Sequence, residues 1–276
     1  MDRPGGDFEG VPMRSVPRLT LPLLVTVVSL LGLTAPPAAA EAEPWSQGTV
    51  RTVGKLIWET QDGRLGLCSG AVVDAPNGSV VATAAHCVRS RESAQPPGEL
   101  WFVPAYDHGR DTYRTDGWRV RSLHTPAGWD VTRETVAILH HDYAFLTLER
   151  RDGRTVEEVY GANRAAFEPV REDREVAVLG YPAAAPYDGE TLRYCRGTTD
   201  VLREGEAQDP NLGGLLLPGC DLTAGASGGP WLQDYDPASQ SGTLVAVVSV
   251  GSGRGDIVGR PFPAEARDLL AAAGAA

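Results

Sequence analysis

Short apolar runs, each closed off by a turn, fill the chain from Val53 to Val250, and they limit the fold more than any other feature. Val53–Thr60, Leu67–Asp74, Val80–Ala84, Leu100–Pro104, Trp118–Leu123 and Ala144–Leu148 make a first group. Glu175–Gly180, Leu192–Cys195, Asp200–Arg203, Leu215–Leu217, Gly229–Leu232 and Thr243–Val250 make a second. They are rich in Val, Leu and aromatic residues, which suit a pleated, half-buried surface, and they are too short for helices. Segments such as "DAPNGS" (74–79) and "QPPGE" (95–99) supply turns, as 32 Gly and 21 Pro would lead one to expect. Helical signals are few. Ala84–Cys87 reads as one turn after a strand. Pro263–Ala273 opens on proline and an acid and continues in Ala and Leu, which suits a C-terminal helix.

Two batches of about six short strands predict an all-β fold of two six-stranded β-barrels packed side by side, with a short C-terminal helix. A doubly wound α/β sheet is poorly supported, because its strands alternate with long helices. With 42% apolar residues in 276, the chain can bury a sizeable core. The expected divisions are 53–150 for the first barrel, a charged connection over 151–172, and 173–276 for the second barrel and helix.

The N-terminus reads as a leader. Arg14 and Arg18 precede the apolar run Leu19–Leu33, and "TAPPAAA" (34–40) follows with small residues. A positive flank, an apolar stretch and an Ala-x-Ala cut predict a signal peptide over 1–40 with cleavage after Ala40, hence a secreted chain. Residues 41–52 are a polar tail or short pro-segment. No later stretch is apolar enough to span a bilayer, so no membrane association is expected after cleavage. Residues 1–40 carry three basic and three acidic residues, so the remainder keeps the net charge of −11. That balance disfavours nucleic acid, whose phosphates need a basic face. Cys68, Cys87, Cys195 and Cys220 read as two disulfides in an exported protein. A zinc site would favour a Cys-x-x-Cys spacing, which is missing, and three pairings are possible.

"TAGASGGPW" (223–231) places Ser227 among glycines. Gly-x-Ser-x-Gly is the nucleophile elbow of α/β-hydrolases, and Gly-x-Ser-Gly-Gly-Pro is a protease nucleophile loop. A serine hydroxyl needs a base, usually histidine, and the histidine needs an orienting acid. His86, His108, His124, His140 and His141 all precede Ser227. The hydrolase order, Ser then acid then His, is therefore impossible. An Asp-His-Ser order would need Asp62 or Asp74, which sit in turn-like contexts. The order His86, Asp142, Ser227 remains. His86 ends a strand-and-turn segment, "VVATAAHCV" (80–88). Asp142 begins the alternating strand of "ILHHDYAFLTL" (138–148).

"TAAHC", "HDYAFLTL" and "GASGGP" together resemble the signature segments of the chymotrypsin-like (trypsin-like) serine proteases. "VGKLIW" (53–58) and "CSGAVV" (68–73) resemble the bacterial secreted branch that includes glutamyl endopeptidases. The resemblance covers about residues 53–270. It implies that Ser227 attacks the scissile carbonyl, that His86 carries the proton, and that Asp142 fixes the imidazole tautomer. The N–H groups of Gly225 and Ser227 would form the oxyanion hole. The resemblance implies a Cys68–Cys87 bridge beside His86 and, with it, Cys195–Cys220. The other four histidines are expected on the surface or behind the site. This chemistry requires no metal or organic cofactor, and no motif for one is present. The expected partner is a protein or peptide substrate, and the expected state is a monomer.

Specificity stays open in the sequence. Asp221 stands six residues before Ser227, where an acid in trypsin-like members selects Arg or Lys. The glutamyl branch carries an aspartate thereabouts without that meaning. That branch also uses a histidine on the later strand, where this chain has Val248. Ser249, Val250 and Gly251 resemble the edge strand that binds the substrate backbone. Ala226 replaces the aspartate that pairs with a freed N-terminus in animal members, so that switch is not expected. Two further readings stand beside the endopeptidase: an inactive or latent homologue binding peptides in the same groove, and an esterase.

Overall fold

The computed structural model describes residues 42–60, 62–89, 98–167, 169–205, 211–251 and 255–276. The expected signal peptide lies outside them. In chain order, β1 (Glu43–Pro44) precedes β2 (Val53–Glu59), β3 (Leu65–Val73), β4 (Val80–Thr83), β5 (Leu100–Pro104), β6 (Trp118–His124) and β7 (Ala144–Leu148). β2 to β7 close into a barrel in the order β2–β3–β4–β7–β6–β5, every pairing antiparallel. Closure leaves no unpaired edge in this lobe.

The second lobe holds β8 (Arg164–Ala165), β9 (Glu175–Gly180), β10 (Arg193–Thr198), β11 (Asp200–Val201), β12 (Leu215–Leu217), β13 (Pro230–Asp236), β14 (Ser241–Gly251) and β15 (Ile257–Pro261). These strands and β1 form one sheet, ordered β1–β10–β9–β13–β14–β15–β12–β11, with β8 added to β14 in parallel. The all-β, two-lobe architecture is the expected one. The first lobe is a closed six-stranded barrel, and the second is a sheet that curls as a half-barrel. The C-terminal helix α1 (Ala266–Ala275) buries Ala266, Ala273 and Gly274. It packs on β4, β6 and β7 of the opposite lobe, where Thr147 Oγ1 and Asn77 Nδ2 donate to Ala273 O.

Strand alternation makes two buried surfaces from single strands. Leu56, Cys68, Val72, Val81, Phe102 and Leu146 point into the first barrel. Their neighbours Val53, Ile57, Val73, Val80 and Phe145 point the other way and meet Leu179, Tyr181, Leu232, Val247 and Phe262 between the lobes. Val176, Val178, Leu215, Trp231, Ala246 and Val248 form the second lobe's own core. Each such aliphatic or aromatic side chain contributes roughly 1.5–3 kcal/mol when fully buried. Lys55 shares the inter-lobe face and is fully buried. Its ammonium donates to Gly189 O, lies 3.5 Å from Glu190 and sits 4.2 Å above the Tyr106 ring, so the charge crosses the lobe boundary with partners.

The alternation that builds the core also aims the site. In β3, Cys68 faces the barrel and bonds Cys87, while Ser69 faces the second lobe.

Candidate active site

His86 sits on a 3-10 turn, Ala85–Cys87, directly after β4. Ala84 and Ala85 are fully buried, so only small residues fit where the chain bends. The Cys68–Cys87 disulfide ties this turn to β3. Asp142 follows another 3-10 stretch, Thr135–His141, and precedes β7. Pairing of β4 with β7 brings the ends of the two strands together, with Thr83 opposite Ala144.

Asp142 is fully buried and takes three hydrogen bonds. The His86 backbone N–H donates to Oδ1 at 2.9 Å. The His86 Nδ1 lies 2.8 Å from Oδ2, and the Ser249 hydroxyl donates to the same oxygen at 2.6 Å. Burial alone would raise the Asp142 pKa, but the His86 charge and these bonds outweigh it and hold it below the usual carboxylate value. Burial likewise disfavours a charged His86, but Asp142 outweighs it, and the imidazole pKa is raised above its usual value. Because a carboxylate only accepts, the neutral ring carries its proton on Nδ1 and presents Nε2 as a base.

Ser227 lies on the loop before β13 and is partly exposed. Gly225 holds φ +101°. A Cβ there would lie 2.6 Å from Tyr181 O and 2.8 Å from the Ala183 Cβ, so glycine is required on two counts. Most polar backbone groups of the loop are occupied. Ala183 N–H donates to Ala224 O, Ala226 N–H to Thr223 O, Gly228 N–H to Val248 O, and Gly229 N–H to Ala226 O. Ser69 N–H donates to Ser227 O at 2.7 Å. Among the described residues, the N–H groups of Gly225 and Ser227 have no intramolecular acceptor. Two such donors beside a serine make a receptor for a developing oxyanion. No hydrogen bond joins the Ser227 hydroxyl to the His86 ring, and such bonds are often long in unliganded sites.

Ser227 borders a cavity of about 560 Å³ lined by Asp221, Leu222, Thr223, Val248–Gly251, Asp256 and Ile257, among others. Leu222 forms part of the wall and leaves the space open. Asp221 accepts from Ala42 N–H (2.6 Å) and from the Tyr187 hydroxyl (2.7 Å) through one oxygen. Burial and the Asp221 contact push the Tyr187 hydroxyl pKa up to about 12, so it remains a donor. Asp256 accepts from Gly219 N–H at 3.1 Å. A second cavity of about 570 Å³ lies among Phe167, Val170, Leu212, Arg260 and Phe262 and touches none of His86, Asp142 or Ser227, so size alone does not pick the site.

The structure thus pairs His86 with Asp142, and it ties the Ser227 loop to β3 beside the half-cystine that anchors the His86 turn. Asp221, Ser249, Val250 and Gly251 line the adjoining cavity. Both disulfides form as the resemblance implied. His108 pairs with Asp107 on the surface, His124 lies near Ser122 and Thr147, and the rings of His140 and His141 lie 5.0 Å apart at a tilt of 58°. Sequence reasoning had missed Ser69, Tyr187 and Asp256. It had also given Ser249 only a backbone role. Of these only Ser69 carried a signal, since it stands beside Cys68 in a segment already singled out.

Comparison with known proteins agrees with this geometry. A family model for a trypsin-like peptidase domain matches residues 68–247. The protease Anisep from Arthrobacter nicotinovorans is 28% identical with a TM-score of 0.70, covering 85% of this chain and 99% of that one. The thermostable serine protease AL20 from an extremophilic microorganism is 30% identical with a TM-score of 0.68, covering 82% and 98%. A Glu endopeptidase, 15% identical with a TM-score of 0.63 over 87% and 99%, shares the fold. No curated protein matches the chain. The chain therefore belongs to the trypsin-like peptidases, and it is a serine endopeptidase of that family.

Proposed function

We propose that the chain is an exported endopeptidase that cleaves peptide bonds through an acyl-enzyme on Ser227. The observation that carries this reading is the pair of unused N–H groups, Gly225 and Ser227, on a loop whose other polar backbone groups are largely bonded. In the proposed reaction Ser227 Oγ attacks the substrate carbonyl while His86 Nε2 takes the hydroxyl proton. The two N–H groups donate hydrogen bonds to the oxyanion. His86 then gives its proton to the leaving amine, which departs and leaves an ester on Ser227. Water, deprotonated by the same nitrogen, attacks that ester, and the acid product leaves as His86 returns the proton to Ser227 Oγ. Asp142 holds the ring and stabilises its charged form at each proton transfer. No step calls for a metal or organic cofactor.

Export is supported by the leader-like N-terminus and by two disulfides. No described helix is long and apolar enough to cross a membrane. The cavity beside Ser227 contributes two carboxylates, Asp221 and Asp256, and no basic side chain among the described residues. The Asp221 charge, held by neutral donors, favours a cationic substrate side chain over an acidic one.

The test is labelling of the purified protein with a fluorophosphonate probe, alongside Ser227→Ala and His86→Ala. Wild-type labelling that disappears in the first variant and falls steeply in the second supports the reading. A well-folded wild type that takes no label would move the peptide-binding homologue ahead.

A further inference from the structure

We infer that Ser69 is a positioning residue that fixes the oxyanion loop from the opposite lobe, an inference that rests on Ser227 as the nucleophile. Ser69 lies in β3 of the first barrel and is fully buried. Its hydroxyl donates to Gly225 O at 2.9 Å and accepts from Tyr181 N–H at 2.9 Å. Its backbone N–H donates to Ser227 O at 2.7 Å. Its own carbonyl accepts from the Thr83 hydroxyl at 2.8 Å. One residue thus binds the carbonyls on both sides of Ala226 and the segment against which Gly225 packs.

A peptide group is planar, so fixing its C=O fixes the N–H on the same plane. The plane joining Gly225 to Ala226 is held at its carbonyl by Ser69 and at its N–H by Thr223 O. The plane joining Ser227 to Gly228 is held at its carbonyl by Ser69 and at its N–H by Val248 O. Between and before them lie the two planes that carry the unused N–H groups of Ser227 and Gly225. Their own carbonyls, Ala226 O and Ala224 O, are bonded to Gly229 N–H and Ala183 N–H. Without the Ser69 hydroxyl, the Gly225 carbonyl loses its partner, and a glycine at φ +101° has wide freedom to turn. The Gly225 N–H is then held only through the Ala224 carbonyl's bond to Ala183 N–H, and turning about the Gly225 φ and ψ shifts it relative to the Ser227 N–H and the oxyanion position.

Adjacent residues of one strand therefore serve the two halves of the site. Cys68 fixes the turn that carries His86 through Cys87, and Ser69 fixes the loop that carries Ser227. Strand alternation sends the two side chains to opposite faces, which lets one short segment reach both.

The experiment compares Ser69→Ala and Ser69→Gly with the wild type, with Thr147→Val as a control. Thr147→Val removes a buried hydroxyl-to-carbonyl bond of similar length that does not touch the loop. Turnover of a peptide amide, the affinity of a peptide aldehyde and the Tm are measured for each. A misplacement of about 1 Å in a reacting group can cost 100-fold in rate. The expected result is a kcat about 100-fold lower in both Ser69 variants, an aldehyde weakened by a similar factor, and a KM within a few-fold of wild type. The pH at which His86 titrates in the rate profile should stay unchanged. Thr147→Val should lose Tm and keep kcat. Ser69 variants that lose Tm like the control but keep kcat and aldehyde affinity would overturn the inference while leaving the nucleophile intact. Wild-type protein that fails to label with fluorophosphonate would remove the nucleophile assignment and this inference together. Two Ser69 variants of different size guard against one that fails to fold.

Discussion

The Ser249 hydroxyl donates to the Asp142 oxygen that faces His86 Nδ1, at 2.6 Å, so one buried carboxylate oxygen serves two partners. Ser249 comes from the second lobe, while His86 and Asp142 belong to the first. The bond helps keep a fully buried carboxylate ionised. A hydrogen bond to a charged group is worth about 1.5–3 kcal/mol. Ser249→Ala should lower kcat/KM by roughly 10- to 100-fold on that scale and reduce thermal stability. Steady-state kinetics on a peptide amide, with a melting curve, would check both.

The rate should fall on acidification through a pH above 6.5, because the base must be neutral and Asp142 raises the His86 pKa. Asp142→Asn removes the charge that raises it. The acid limb should then move to lower pH, with kcat down by about 10,000-fold, as when the acid of such a triad is neutralised elsewhere. The two groups contribute to stability with pH dependences of opposite sign. The Asp142 contribution is present above about pH 4 and is lost as the pH falls through its lowered folded pKa. The His86 contribution is present below about pH 6.5 and is lost as the pH rises through its raised folded pKa. This pair should therefore stabilise the fold most on the acid side of the pH range where the enzyme is fastest. Melting curves across pH in wild type and His86→Ala would show it, with the alkaline decline weakened in the variant.

Gly225→Ala should separate activity from folding. The added methyl meets Tyr181 O and Ala183 at once, and φ +101° disfavours any side chain. The expected outcome is a kcat lowered by about 100- to 1,000-fold, the cost of losing one oxyanion donor. A kcat near wild type, measured on well-folded protein, would show that the Gly225 N–H does not bind the oxyanion.

The Cys195–Cys220 disulfide ties β10 to the wall of the cavity beside Ser227. It joins residues 25 apart, and a bridge closing such a loop is worth about 3 kcal/mol. The double change Cys195→Ser with Cys220→Ser should lower Tm by roughly 6–12 °C. It should raise KM more than it lowers kcat, because Cys220 and Asp221 belong to the cavity rather than to the His86–Asp142 pair. Calorimetry and saturation kinetics on the same preparation would test the two effects.

Much of the fold was legible because short Val- and Leu-rich runs bounded by turns have few alternatives. Leu100–Pro104, Ala144–Leu148, Glu175–Gly180 and Leu215–Leu217 form strands with the expected bounds. β15 was not legible. Ile257 and Val258 are followed by Gly259, Arg260 and Pro261, and they are strand only because β14 and β12 flank them. Gly259 even serves tertiary packing, since a Cβ there would strike the Trp231 ring. In the site, His86, Asp142 and Ser227 stood out because each sits in a patterned segment. Ser69, Tyr187 and Asp256 did not, because their roles come from contacts between segments far apart in the chain. Asp221 could be found by its offset from Ser227, but not its bond to Ala42, a residue 179 positions away.

That bond bears on specificity. Asp221 is held by the Ala42 N–H and the Tyr187 hydroxyl, and Asp256 accepts from the Gly219 N–H. The Asp221 donors are neutral, so they orient that carboxylate without cancelling its charge. A cationic side chain about 4 Å from such a carboxylate gains about 4 kcal/mol at an effective dielectric of 20, before the cost of stripping its water. Peptides with Arg or Lys on the acyl side of the cleaved bond should therefore be cut faster than matched peptides with Gln, and those with Glu slowest. Asp221→Asn should lower kcat/KM for the basic peptides by about 10- to 100-fold and leave the Gln peptide nearly unchanged. Tyr187→Phe removes one donor, lets the carboxylate shift, and should do the same more weakly. Competition between Arg, Gln and Glu peptides in one reaction decides the matter, and a preference for Glu would show that the cavity's charge does not choose the substrate.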